Sequence, residues 1–108
     1  MHVINHSALP RTGCDGCQRQ TVAGAAVGPA PFEVELLCVE AGARWTTPAQ
    51  PHPRVLLVLA GTGKQRLEAD PQHFHAPCTL IVPAGVAHEI VNNGVLALRL
   101  VAIFMPRA

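Results

Sequence analysis

Ten prolines and nine glycines are spread through 108 residues, and the longest stretch free of both is Val95 to Met105. Proline lacks an amide donor and blocks a helix interior, and glycine weakens one, so long helices do not fit between these breakers. What fits are short extended segments. From Phe32 to Cys38 the residues alternate, with Phe32, Val34, Leu36 and Cys38 on one face and Glu33 and Glu35 on the other. Period-two alternation of this kind predicts a half-buried strand, with the glutamates facing water. Val55 to Leu59 is a continuous apolar run ending at Gly61 and Gly63. It reads as a strand buried on both faces. Thr79 to Val82 stops at Pro83, and Ala87 to Val91 stops at Asn92-Asn93-Gly94, a turn signal. Leu96, Leu98, Leu100, Ala102 and Phe104 alternate along a last strand with Arg99 opposite. Asp70-Pro71 marks a further turn.

Many short strands with closely spaced turns predict a sandwich or barrel in one domain. Residues 1–31 read as an N-terminal edge strand or loop rather than a separate domain, with an Ala-, Gly- and Pro-rich surface stretch from Thr21 to Pro31. Residues 32–108 read as the barrel. Half of the chain is hydrophobic (49%), 14% is charged and the net charge is +1, which argues against disorder. Scattered Lys and Arg give no reason to expect nucleic acid as a partner. No apolar run approaches the roughly 20 residues of a membrane-spanning helix, and the N-terminus lacks a signal-peptide pattern. A cytoplasmic protein is expected, in which Cys14, Cys17, Cys38 and Cys78 are thiols. Cys38 and Cys78 sit in apolar runs and read as buried. Cys14-Asp15-Gly16-Cys17 has metal or redox spacing, but no second pair accompanies it, so a loop with two incidental thiols is expected.

One segment carries a more specific signal. Pro83-Ala84-Gly85-Val86-Ala87-His88-Glu89-Ile90-Val91-Asn92 places Pro, Gly, His and Asn at the spacing of the second cupin signature. The chain therefore resembles the cupin superfamily, although Pro77 stands where a glycine usually opens that signature. Gly42 and Gly61 have the separation of the glycines bounding the first signature. Its ligand positions are changed: Pro48 and Gln50 stand for the two histidines and Arg54 for the glutamate, leaving His88. The resemblance implies an all-β, cupin-like double-stranded β-helix or jelly-roll barrel, and a homodimer. Gly85 suits a tight turn of positive φ.

On a regular strand, Pro48, Gln50, His52, Arg54, Leu56 and Val58 share a face, which the resemblance turns inward to meet His88. Two uses of that patch follow. In one, Gln50, His52, Arg54 and His88 bind a small polar or anionic molecule, with the Arg54 guanidinium holding a carboxylate or phosphate. In the other, a rearranged set of His88, His52 and His75, or His73 in its place, holds a divalent transition metal (Zn, Ni, Fe or Mn) for dioxygenase or isomerase chemistry. Arg54 opposes the second use, because a fixed cation repels a metal. A bland third reading leaves His88 a hydrogen-bonded core residue. Trp45 is expected to cap the barrel mouth or to sit at a subunit contact.

Overall fold

The structure, a computed structural model, describes residues 5–23, 32–67 and 70–104. After a short 3-10 turn at His6–Ala8, the regular elements among these residues are ten strands. They are β1 Thr12–Cys14, β2 Cys17–Ala23, β3 Glu33–Val39, β4 Arg44–Thr47, β5 Arg54–Ala60, β6 Thr62–Leu67, β7 Asp70–His75, β8 Cys78–Val82, β9 His88–Val91 and β10 Leu98–Phe104. Two antiparallel sheets result, one of order β1-β2-β3-β10-β5-β8 and one of order β4-β9-β6-β7. This is the all-β, two-sheet jelly roll that the breaker pattern allows.

The core lies between the sheets. Leu37 and Val39 of β3, Leu56 and Val58 of β5, Leu80 and Val82 of β8, and Leu98, Leu100 and Ala102 of β10 meet Ile90 of β9 there. Burial of each large aliphatic side chain contributes roughly 1.5–3 kcal/mol, so one face of the larger sheet supplies most of the cohesion. Gly61, at φ +98°, carries the chain from β5 in one sheet to β6 in the other. A side chain there would also stand 3.0 Å from the Ala97 carbonyl oxygen. Gly85 has φ +78°, as its place in the signature turn demands.

Several sequence expectations are corrected. The inward face of β3 is the one that carries Glu33, Glu35, Leu37 and Val39, while Leu36 and Cys38 are only partly covered on the outside. The run Leu36-Leu37-Cys38-Val39 is apolar on both faces, so the glutamates chose the wrong face. β5 is not buried on both faces: Leu56 and Val58 are, but Leu59 is 60% exposed. Beside it, Ile81 of β8 is 66% exposed. Arg99 is exposed, as expected. Asp70 and Pro71 belong to β7, an edge strand where a missing amide is tolerated. Cys38 and Cys78 are half-buried rather than fully buried.

Within 1–31, β1 and β2 form a hairpin closed by Asp15 (φ 54°) and Gly16 (φ 82°), and β2 pairs along β3. The Asp-Gly pair suits a two-residue turn with both residues left-handed. It sets Cys14 opposite Cys17, whose Sγ donates to the Arg44 carbonyl at 3.1 Å. Most of the Ala-, Gly- and Pro-rich stretch, residues 24–31, lies outside the described residues.

Candidate functional site

β4, β5, β9 and the chain from Pro48 to Pro53 build one polar region. Three prolines in six residues deny Pro48–Pro53 a ladder, and no strand forms there. The regular alternation expected from Pro48 to Val58 therefore begins only at Arg54. Its loop is anchored instead by the Gly85 amide, which donates to the Gln50 carbonyl at 2.7 Å. The signature turn thus positions the segment that carries Gln50 and His52.

Arg54 opens β5 with its side chain inward and 2% exposed. Its Nη2 donates to the Pro48 carbonyl at 3.3 Å, while Nε and Nη1 are buried without a partner. Burial lowers its pKa, yet guanidinium keeps its proton at any ordinary pH. His88 opens β9, 4% exposed, opposite Thr47 of β4. Trp45 packs edge-on against its ring, with centroids 5.2 Å apart. Both ring nitrogens of His88 are buried without a partner, and so is Thr47 Oγ1. Burial, and then the charge of Arg54, push the His88 pKa down to about 4. At neutral pH the ring is uncharged, with one N–H donor and one acceptor nitrogen.

An open cavity of about 630 Å³ adjoins these groups. Trp45, Thr47, Gln50, His52 and Arg54 line it, and so do Glu33, Glu35, Phe104 and Arg19. A second depression over Gly85–Glu89 reaches His88 from the other side of Thr47 and Pro48. Trp45, for which the sequence left two roles, forms cavity wall.

Similarity to known structures is extensive in shape and slight in sequence. A protein of Thermotoga maritima described as a predicted oxalate decarboxylase superimposes with TM-score 0.85 at 12% identity, over 98% of this chain and 100% of that one. An RmlC-like cupin from Shewanella frigidimarina gives TM-score 0.78 at 19% identity, over 99% and 92%. This is a cupin fold. KdgF from Halomonas sp. matches at TM-score 0.76 and 17% identity, over 95% and 94%. No family model matches this chain, and no curated protein matches it in sequence. At such identities the shared property is the fold, and the chemistry rests on the residues present.

Those residues do not fit the metal that cupin barrels commonly hold. Among the described residues no group of three or more His, Cys, Asp or Glu side chains is placed to hold an ion. The proposed third ligand is out of reach. His75 pairs with Thr62 at the start of β6, whereas His88 pairs with Leu67 at its end, a separation of about 16 Å along the strand. His73 pairs with Lys64, and both histidines are exposed on the edge strand. Where a carboxylate ligand would stand, Arg54 places a cation close enough to His88 to depress its basicity. Gln50, His52 and Arg54 do share one cavity, whereas His88, packed against Trp45 and opposite Thr47, lines the neighbouring depression and not this cavity.

Sequence reasoning missed Glu33, Glu35, Thr47 and Arg19 as cavity residues. The signal was present for the glutamates. Leu37 and Val39 lie at even spacing from them and had equal claim to the core.

Proposed function

We propose that this cupin binds a small anionic molecule in the cavity beside β4 and β5, with Arg54 as its principal contact and no metal taking part. The observation that carries the reading is the Arg54 guanidinium, fully charged, almost wholly buried and with two nitrogens unpartnered. Buried charges are ordinarily paired, and a buried donor left unpaired costs about 1–3 kcal/mol or more when charged. An oxyanion would satisfy those N–H groups with charge-assisted bonds. The unpartnered Thr47 hydroxyl offers a further hydrogen bond in the same cavity, Gln50 and His52 line it as well, and the neutral His88 ring faces the adjoining depression. The site is suited to capture and orientation of a carboxylate or phosphate.

Trp45 is the single tryptophan and lines the cavity, so its fluorescence reports occupancy directly. Protein stripped with chelator and desalted should give a saturable Trp45 response to acetate, butanoate, succinate or inorganic phosphate. Arg54→Met should weaken the response at least tenfold. A response that the variant keeps in full, or that returns only when a divalent metal is restored, overturns the reading.

A further inference from the structure

The cavity has two charged poles. Arg54 stands at one, and Glu33 and Glu35 stand at the other. Phe104 of β10 is the cross-strand partner of both Glu33 and Arg54, so those two backbones lie two strand spacings apart, about 10 Å. Glu35 lies one step further along the same face of β3, opposite Ala102. Neither glutamate forms an ion pair with Arg54. Among the described residues the recorded ion pair is Arg44 with Glu89, elsewhere on the surface.

We propose that the occupant is a small zwitterion of the amino-carboxylate class, with its carboxylate on Arg54 and its ammonium group on Glu35 and Glu33. The inference rests on Arg54 being the anion contact and adds the opposite pole. Three observations support it. First, the poles share one cavity but do not touch, as a bridging molecule requires. Second, the charges balance: the acidic pole has two carboxylates against one nearby cation, Arg19, whose Nε is engaged with Thr12 Oγ1 at 3.3 Å. One negative charge remains there, against one positive charge at Arg54. Third, burial raises the pKa of Glu35, Arg19 partly offsets this, and Glu33 adds to it. A carboxylate destabilised in this way gains when a cation arrives. Phe104 between the poles gives the carbon chain of such a molecule an apolar floor.

The test uses three probes of one carbon skeleton: butanoate, 4-aminobutanoate and butylamine. Binding is followed by Trp45 fluorescence and by amide chemical shifts in two-dimensional NMR. The wild-type chain should bind 4-aminobutanoate at least tenfold more tightly than butanoate or butylamine. Glu35→Gln, checked for unchanged thermal unfolding, should lower the affinity for 4-aminobutanoate to that for butanoate and leave butanoate unaltered. Arg54→Met should abolish both. If butanoate binds as tightly as 4-aminobutanoate, or Glu35→Gln leaves their ratio intact, the zwitterion is wrong and the anion contact stands. If no probe perturbs the wild-type spectrum or fluorescence, both readings fall.

Discussion

Two residues of one strand-and-turn segment show how differently a barrel uses buried polarity. Asn92, just past β9, is fully buried and fully satisfied. Its Nδ2 donates to the Val39 carbonyl and the Leu96 carbonyl, each at 2.8 Å, and its Oδ1 accepts from the Gly94 amide at 2.9 Å. Its own amide and carbonyl close onto the turn at Ala43 and Gly42. His88, four residues earlier, is buried to a similar degree with neither ring nitrogen bonded, and it feels the charge of Arg54, of whose three guanidinium nitrogens only Nη2 has a partner. A buried polar group with every partner in place locks a fold. One without partners costs stability and is a candidate for ligand contact.

The contrast can be broken at either end. The largest effect is expected at Asn92. Asn92→Ala strands the Val39 and Leu96 carbonyls and the Gly94 amide, at a cost of about 3 kcal/mol. In a domain of this size that lowers the midpoint of thermal unfolding by about 15 °C. A shift of only a few degrees would show that Asn92 is not the lock.

His88 comes next, through pH. Its folded pKa of about 4 lies below its ordinary 6.5. Between those values the unfolded chain takes up the proton more readily, so acid favours unfolding. The contribution is fully present above pH 6.5 and is lost as pH falls toward 4, to a limit of about 3 kcal/mol. Denaturant unfolding from pH 7 to pH 4 should show this slope in the wild type and a shallower one in His88→Leu. Equal slopes would mean that the ring is solvated.

The smallest effect has the opposite sign. Arg54→Met removes a buried charge with two unpartnered nitrogens and keeps much of the volume, so it should stabilise the chain by about 1–2 kcal/mol. Loss of stability on that substitution would place Arg54 with Asn92 as a structural residue and undo the comparison.

Much of the fold was legible in the sequence. Pro83, Gly85, His88 and Asn92 stand at fixed spacing because a strand end, a left-handed turn and an inward strand must follow one another in that order. The alternation in β10 and the inward Arg54-Leu56-Val58 of β5 follow from the two-residue period of an extended chain. The site was legible in part. Arg54 and His88 were readable as inward residues, and Gln50 and His52 do reach the Arg54 cavity, from a loop rather than from the expected strand, while His88 lines the depression beside it.

The remaining features depended on packing. The sequence by itself determined which segments extend, where they stop and that glycine must stand at the signature turn, because these are local consequences of backbone sterics. Only the tertiary structure decided that Glu33 and Glu35 face the cavity. A strand with apolar residues on both faces carries no local preference between them, and pairing with β2 and β10 made the choice. It also decided that His75 and His88 stand far apart. Antiparallel register sends successive strands in opposite directions, so residues near in sequence come to lie at opposite ends of one sheet.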